Sequence, residues 1–166
     1  MISAFIIVAT TLDGFISPLE HTNSTTWTSG ADKEFFKKRT KEAGVIVMGR
    51  TTFETIGKAL PERKVIVYSP DALNIEGVET TTLPPQELLA QLEKEGFSEV
   101  AICGGSSIYS LFLRSGCVSK LYLTLEPILF GDGIPLFKDI PQTKLSLVSS
   151  TPLDKNTLLL EYTITI

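Results

Sequence analysis

Three short segments of this chain carry side chains whose types and spacing could do chemistry. The first is Trp27-Thr-Ser-Gly-Ala-Asp-Lys-Glu-Phe-Phe36, in which the carboxylate of Asp32 lies between Trp27 and Phe36. Burial between aromatic walls would raise the pKa of Asp32 and suit it to a proton-dependent reaction. Ser29, three residues before Asp32, also fits a helix N-cap with an acidic partner. Helix capping is therefore the alternative role for Asp32.

The second segment, residues 45–57, predicts a buried strand that turns at Gly49 into a helix starting near Thr51. Arg50 would then stand at the start of that helix, where free N–H groups favour an anion. Its guanidinium and the neighbouring threonine hydroxyls would form a clamp for a phosphate group. The alternative is a solvated arginine after a strand.

The third segment, Val100-Ala-Ile-Cys-Gly-Gly-Ser-Ser-Ile-Tyr109, is a second strand–glycine–helix junction. Its paired glycines allow a ligand to approach the backbone, and the following N–H groups with Ser106 and Ser107 could bind a pyrophosphate. The segment matches neither GxGxxG nor GxxxxGK[ST], and helix packing alone could explain it. Two such junctions in one small sheet favour a ligand with two separated phosphates, such as a 2′-phosphorylated dinucleotide.

The elements that must position these segments follow from strand-length apolar runs that alternate with helical patterns. Strands are predicted at 2–9, 45–49, 64–69, 77–82, 99–103 and 118–126, with a closing pair near 144–150 and 157–165, and helices at 30–43, 51–57, 85–95 and 105–114. This order predicts one α/β domain over 1–166, with about eight strands in a mostly parallel sheet, about four helices and a C-terminal antiparallel hairpin. The polar stretch 17–26 is a candidate active-site lid.

Composition narrows the classes of function. The chain has 166 residues, 43% hydrophobic and 20% charged, without an apolar run long enough to cross a membrane. Its net charge of −4 argues against a general nucleic-acid binder. A single histidine, His21, and two cysteines without metal spacing argue against a metal site, and residues 2–9 lack a basic leader. We expect a cytoplasmic protein without metal, nucleic acid or membrane partners.

Six blocks, in the same order along nearly the full chain, resemble the dihydrofolate reductase family. They are the Trp27–Asp32–Phe36 spacing, Met48-Gly-Arg-x-Thr-Phe-Glu-x-Ile-Gly57, Leu60-Pro-x-Arg63, Gly104-Gly-Ser-Ser-x-Tyr109, Leu121-Tyr-Leu-Thr124 and Gly131-Asp132. The resemblance implies that family's fold, NADPH as cofactor, and dihydrofolate or a related pterin as substrate. The implied reaction converts 7,8-dihydrofolate to tetrahydrofolate by hydride transfer to the pterin C6, with protonation at N5.

The resemblance also assigns roles to single residues. It implies a catalytic group of Asp32, Trp27 and Thr124, in which Asp32 holds the 2-amino group and ring N–H of the pterin. Implied substrate contacts are Ile7, Ala9, Phe36, Ile56, Leu60 and Arg63, the last of them pairing with the substrate's α-carboxylate. Implied cofactor contacts are Ala9, Ile16, Gly49, Arg50, Thr51, Thr52, Ser69, Ile102, Gly104, Gly105, Ser106, Ser107 and Tyr109. Arg50 and Thr51, with Ser69 nearby, would bind the 2′-phosphate.

Several positions depart from that family's pattern. Residues 11–17 and 130–137 resemble the reductase domain of riboflavin biosynthesis, which shares the fold, and the second range includes a distal loop expected to support the lid. Lys33 stands where an apolar substrate contact is usual, and Pro70 replaces a second serine after Ser69. The alternative function is thus reduction of a ribosylamino-pyrimidine phosphate, and a non-catalytic dinucleotide-binding protein is a second alternative. We expect a monomer rather than a dimer.

Overall fold

The computed structural model describes residues 1–20 and 24–165. Its strands are β1 (Ser3–Thr11), β2 (Phe15–Ser17), β3 (Val45–Gly49), β4 (Lys64–Tyr68), β5 (Val78–Thr81), β6 (Glu99–Ile102), β7 (Val118–Glu126), β8 (Ile134–Pro135), β9 (Lys144–Pro152) and β10 (Leu158–Thr165). Its helices are α1 (Gly30–Ala43), α2 (Arg50–Ile56), α3 (Pro85–Lys94) and α4 (Ser106–Arg114), with a 3₁₀ turn at Ser24–Thr26.

Eight of the strands form one sheet in the order β5-β4-β3-β6-β1-β7-β10-β9. All pairings from β5 to β7 are parallel, whereas β10 pairs antiparallel with both β7 and β9. The predicted mostly parallel sheet, its antiparallel C-terminal hairpin and the four helices are confirmed. No helix of the described residues combines the length and apolar character needed to cross a membrane.

The helices cover both faces of the parallel part of the sheet. Helices α3 and α4 contribute Leu92 and Phe112 to the core on one face, and α1 and α2 pack Phe36 and Phe53 against the other. Residues 45–48 of β3 are at most 1% exposed. This double burial explains why the central strands read as continuous apolar runs instead of alternating ones.

Helix α1 is fixed at both ends and along its length. The Ser29 hydroxyl accepts a hydrogen bond from the Asp32 N–H at 3.1 Å, and Gly44 ends the helix with a φ of 78°. Arg39 lies 4.0 Å above the ring of Phe5. The same guanidinium pairs with Glu99 through two hydrogen bonds of 2.9 and 2.8 Å. The helix that carries Asp32 is thereby held firmly on the sheet.

A second, two-stranded sheet, which was not predicted from the sequence, joins β2 to β8. Strands of three and two residues are too short to show a periodic pattern. The pairing holds the start of the predicted lid against the loop that follows β7. Residues 21–23 of that lid, His21 among them, lie outside the described residues, so the predicted lid role and the predicted absence of a metal stay predictions.

Candidate active site

A cleft of about 440 Å³ opens at the carboxyl ends of β1, β3 and β6. Strand β6 inserts between β3 and β1, so the chain reverses its direction of travel across the sheet there, as at ligand sites of other open α/β sheets. The cleft is lined by many of the residues that the resemblance implied. Those residues are Ile7, Ala9, Ile16, Asp32, Phe36, Thr52, Ile56, Leu60, Arg63, Gly104, Gly105 and Tyr109.

The remaining implied residues do not line this cleft. They are Trp27, Gly49, Arg50, Thr51, Ser69, Ile102, Ser106, Ser107 and Thr124. Ile102 is fully buried in the core beneath α3 and α4. Its neighbour Cys103 lines the cleft instead, because successive side chains of an extended chain point to opposite faces. The implied cofactor contact of Ile102 stays a prediction.

Asp32 is the one carboxylate among the described residues that line the cleft. Burial is the main reason that its pKa rises to about 6, and the nearby Glu126 carboxylate raises it further. A hydrogen bond from Thr124 and the positive charge of Lys33 act in the opposite direction. Thr124 is 1% exposed and pairs with Ala9 in the register of β1 and β7, which brings its hydroxyl to the cleft edge.

Glu126, at the end of β7, is a second buried carboxylate beside the site. It is 2% exposed, and its Oε1 accepts hydrogen bonds from the N–H of Ser29 at 3.0 Å and from the Ser29 hydroxyl at 2.9 Å. Because Ser29 also caps α1, Glu126 ties the helix that carries Asp32 to the sheet. Ser29 is thus the N-cap of α1, but its N–H donates to Glu126 and not to Asp32, so the capping role considered for the Asp32 side chain is taken by Glu126.

Trp27 lies beside the cleft and packs edge-on against Phe130, with ring centroids 5.1 Å apart. Its indole Nε1 is buried, and no described residue accepts a hydrogen bond from it. A buried N–H without an acceptor is costly, so this donor is available to a bound group.

Arg63 lines the cleft and is held by uncharged partners. Its Nε donates to the Pro61 carbonyl at 3.0 Å, and its Nη1 donates to the Thr40 hydroxyl at 3.0 Å. Thr40 is fully buried in α1 and donates in turn to the Phe36 carbonyl at 2.7 Å. Burial lowers the pKa of Arg63. Among the described residues no carboxylate forms an ion pair with Arg63, so its charge can meet an anionic ligand.

Two lysines of α1 share the cleft with Arg63. Lys33 and Lys37 are one helical turn apart, as are Asp32 and Phe36, so all four line the cleft from the same helix. Lys33 also donates to the Thr25 carbonyl at 2.8 Å, which ties the 3₁₀ turn to α1. The cleft therefore carries three cations and a single carboxylate, which favours an anionic substrate.

The two glycine junctions meet across the cleft, where the Gly49 N–H donates to the Gly104 carbonyl at 2.7 Å. A β-carbon at Gly105 would lie 3.1 Å from the Thr52 hydroxyl oxygen, so a side chain there would fill the space between the junctions. At the start of α4, the Ser106 hydroxyl is buried and has no hydrogen-bond partner among the residues that the structure describes. A free donor beside the open N–H groups of a helix start fits a pyrophosphate.

Arg50 has a different setting from the one expected. Its Nη1 lies 3.4 Å from the Ser69 hydroxyl oxygen, as the implied 2′-phosphate site requires. However, Nε donates to Glu54 at 3.0 Å, and Nη1 lies 3.5 Å from an Asp71 carboxylate oxygen. The expected clamp is therefore already occupied by two carboxylates.

Hydrogen bonds of Tyr109 and of Asp13 hold β1 and the loops beside the cleft in place. The Tyr109 hydroxyl donates to the Ile7 carbonyl at 3.0 Å, and burial raises the pKa of Tyr109. Asp13, just before β2, accepts hydrogen bonds from the Thr11 hydroxyl at 2.5 Å and from the backbone N–H groups of Gly131 at 2.8 Å and Phe130 at 3.2 Å. We call these contacts of Asp13 the loop clasp.

Four residues that shape the site were not predicted from the sequence, namely Lys37, Thr40, Asp71 and Glu126. Helical spacing from Asp32 and Lys33 would have placed Lys37 on the cleft side of α1. Glu126 carries no comparable signal, because it is the last residue of β7, a strand that already contains other polar side chains. Thr40 and Asp71 carry no such signal, because their partners are distant in sequence.

Comparison with known proteins gives concordant matches. A sequence model described as Dihydrofolate reductase matches residues 2–158. The dihydrofolate reductase of Haemophilus influenzae is 36% identical over 128 residues, which cover 76% of this chain and 74% of that one. The structure of Enterococcus faecalis dihydrofolate reductase complexed with NADP(H) and RAB-propyl superposes with a TM-score of 0.80 at 26% identity, covering 99% and 97% of the two chains. A putative riboflavin biosynthesis protein from Shewanella sp. PV-4 shares the fold, with a TM-score of 0.83, 21% identity, and 99% and 100% coverage.

Proposed function

This chain belongs to the dihydrofolate reductase family, and from that membership we propose that it reduces 7,8-dihydrofolate to tetrahydrofolate with NADPH. The observation that carries the proposal is Asp32, the one carboxylate among the described residues that line the cleft, with its pKa raised to about 6. A pterin offers a 2-amino group and a ring N–H, which match the two oxygens of one carboxylate.

The protein residues have separate tasks in this reaction. Asp32 orients the pterin, and its charge in the partly buried cleft favours the protonated form of the substrate. Thr124 holds the carboxylate by its hydrogen bond, and the buried N–H of Trp27 is a donor for the group that relays the proton. When bound, the reduced nicotinamide supplies the hydride.

Cofactor binding is proposed for the two glycine junctions. Ser106 and the N–H groups at the start of α4 would hold the pyrophosphate, and Gly104 and Gly105 let it approach the backbone. Ala9, Ile16 and Tyr109 would lie around the nicotinamide, where the first two supply an apolar wall and Tyr109 fixes β1. The same arrangement would serve a non-catalytic dinucleotide-binding protein, which needs neither Asp32 nor Trp27.

A second candidate function is favoured by the cations of the cleft. Lys33 and Arg63, joined by Lys37, could bind the phosphate of a ribosylamino-pyrimidine, as in riboflavin-type reductases. In the folate proposal Arg63 instead pairs with the glutamate α-carboxylate of the substrate. Arg63 binds the substrate in both proposals, so the two are distinguished by whether Lys33 contacts a phosphate group of the substrate.

The test is steady-state oxidation of NADPH with dihydrofolate and with a ribosylamino-pyrimidine phosphate, for the parent protein, Arg63→Ala and Lys33→Leu. If the substrate is dihydrofolate, Arg63→Ala should weaken its binding by about 1.5–3 kcal/mol and spare a tail-less dihydropterin. Lys33→Leu should keep or improve dihydrofolate turnover. The folate proposal fails if the parent ignores dihydrofolate and both variants lose reduction of the phosphorylated substrate. Turnover of neither substrate would favour a non-catalytic binder.

A further inference from the structure

The region expected to hold a 2′-phosphate contains an acidic residue, Asp71, that directly follows Ser69 and Pro70. An Asp71 carboxylate oxygen lies 3.5 Å from Arg50 Nη1, and the Asp71 side chain is 80% exposed. Its place is set by the backbone, because the Ser69 hydroxyl donates to the Asp71 carbonyl at 2.7 Å and accepts from the Asp71 N–H at 3.3 Å. Asp71 is thus held beside the guanidinium by a local turn.

Several of the hydrogen-bond donors around the implied 2′-phosphate site are already engaged. Ser69 is 5% exposed, and its single hydroxyl proton goes to the Asp71 carbonyl. Pro70 has no N–H group to offer. On Arg50, Nε donates to Glu54 and Nη1 faces both Ser69 and Asp71. A 2′-phosphate would therefore have to share the Arg50 guanidinium with two carboxylates.

The charges around Arg50 also disfavour a 2′-phosphate. Glu54 and Asp71 place two negative charges on one guanidinium, so this group of side chains has a local charge of −1 before a cofactor binds. A phosphate monoester adds about −1.5 to −2 at neutral pH, and Asp71 would repel it. A ribose 2′-hydroxyl is neutral and can donate to a carboxylate, as it does to the acidic residue of NAD-binding sheets.

We propose that Asp71 sets the cofactor preference of this protein, lowering its affinity for the 2′-phosphate so that NADH and NADPH bind with similar strength. The inference rests on the proposed function only in requiring a reduced pyridine dinucleotide. It makes Asp71 a specificity-determining residue and widens the expected cofactor from NADPH to either reduced dinucleotide. Because Asp71 is exposed, solvent and salt screen its charge, and the effect on NADPH affinity is moderate.

The experiment measures dissociation constants by calorimetry for the full chain and for Asp71→Asn, which removes the charge and keeps the shape. The ligands are NADPH and NADH, with adenosine 2′,5′-bisphosphate and AMP as probes of the adenosine subsite alone. The parent should bind the two dinucleotides within about tenfold of each other. Asp71→Asn should lower the dissociation constants of NADPH and the bisphosphate by about threefold to tenfold and leave those of NADH and AMP within about twofold of the parent's. The gain in affinity should disappear at 1 M salt.

Two further variants test whether the change in affinity is specific to the Asp71 charge beside Arg50. Asp139→Asn removes the same charge next to the C-terminal end of α4, where the Asp139 carbonyl accepts from Arg114, and should leave the ratio of affinities unchanged. Arg50→Ala should weaken NADPH binding more in the Asp71→Asn background than in the parent, because the guanidinium there faces one carboxylate, Glu54, instead of two.

The inference is overturned if the parent prefers NADPH by more than tenfold. It is also overturned if the ratio of NADPH to NADH affinity in Asp71→Asn equals that of the parent. Either result leaves the reductase proposal standing. If neither dinucleotide binds, both the cofactor inference and the reductase proposal are overturned. Similar binding of both dinucleotides with no reduction of dihydrofolate supports the cofactor inference and removes the substrate proposal, so the two failures are distinct.

Discussion

At the scale of single residues, Asp32 is placed where its charge serves the proposed chemistry and opposes folding. Burial raises its pKa from 3.8 to about 6, so the folded protein binds more protons than the unfolded chain between those two values. The stability that depends on Asp32 therefore falls as the pH rises from about 4 to about 6, and the full cost of the charged carboxylate is present at pH 7.

Asp32→Asn should separate function from stability. We expect turnover of dihydrofolate to fall by roughly 10²–10⁴-fold, because a neutral amide cannot favour the protonated pterin. The fold should be more stable than the parent by about 1–3 kcal/mol at pH 8, with the gain absent below pH 4, where both side chains are neutral. Urea unfolding and steady-state kinetics at several pH values measure the two effects. If turnover of Asp32→Asn stayed near the parent's from pH 5 to pH 9, Asp32 would have no role in the reaction and would only form part of the first turn of α1.

Glu126 and Thr124 should shift the titration of Asp32 in opposite directions. The Glu126 charge raises the pKa of Asp32 and the Thr124 hydrogen bond lowers it. Glu126→Gln should therefore move the midpoint of the kcat/KM profile to lower pH, and Thr124→Val should move it to higher pH. Each variant serves as the control for the other, since both alter β7 beside the site. A shift of the same sign in both would mean that loss of packing, not charge, determines the profile.

Residue identity alone predicted the parts of the site that need few partners. Asp32 and the paired glycines were recognised because the spacing of an acid between Trp27 and Phe36, and a Gly-Gly turn, limit what the chain can do locally. Thr40, which holds Arg63, and Asp71, which faces Arg50, act through contacts made across 23 and 21 positions of sequence. No local pattern encodes those contacts, so they became visible only in three dimensions.

At the scale of elements, the loops above the cleft are joined by packing as well as by the loop clasp. Gly133 precedes β8, and a β-carbon there would lie 2.5 Å from the Ser17 carbonyl oxygen and 3.2 Å from the Phe15 side chain. The absence of a side chain is thus what allows β8 to approach β2. Together with Asp13, this contact fixes the first part of the predicted lid on the loop after β7.

Gly133→Ala should loosen that attachment. The new methyl group meets backbone, which cannot move as a flexible side chain can, so we expect a loss of about 1–3 kcal/mol in the free energy of unfolding. Hydrogen exchange at residues 15–17 should accelerate more than exchange in β1, and substrate KM should rise.

Gly30→Ala is the matched control, because a β-carbon at Gly30 meets no heavy atom within 4 Å. That helix position should be neutral or gain up to about 1 kcal/mol. Unchanged exchange at 15–17 in Gly133→Ala would show that β2 does not depend on this close approach.

The long elements were predictable and the short ones were not. Helix α1 was predicted with its observed bounds, Gly30–Ala43, because a capping serine and a terminal glycine enclose it. Strand β9 was predicted despite being exposed along all nine residues, since alternating apolar residues mark it as a strand. Strands β2 and β8 depend on each other and on Gly133, and their sequences contain no signal of that pairing.

At the scale of the whole molecule, the cleft depends on segments from most of the chain. Strand β1, helices α1 and α2, and the junction before α4 all contribute, so a ligand in the cleft bridges residues from Ile7 to Tyr109. A ligand that binds the folded state alone stabilises it by RT ln(1 + [L]/Kd), which is about 2.7 kcal/mol at 100 times Kd. For a chain of this size that corresponds to a rise in Tm of about 5–11 °C.

Gly105→Ala should reduce this ligand-dependent stabilisation without an equal effect on the free protein. Its β-carbon would lie 3.1 Å from the Thr52 hydroxyl oxygen, in the space proposed for the cofactor's phosphates. A tenfold loss of affinity would remove about 1.4 kcal/mol of the stabilisation, and with it about 3–6 °C of the Tm rise at the same NADPH concentration. Gly30→Ala, measured in parallel with and without NADPH, should keep the full rise. If Gly105→Ala also kept it, the phosphates would not pass between the two glycine junctions, and the proposed path of the dinucleotide across the sheet would be wrong.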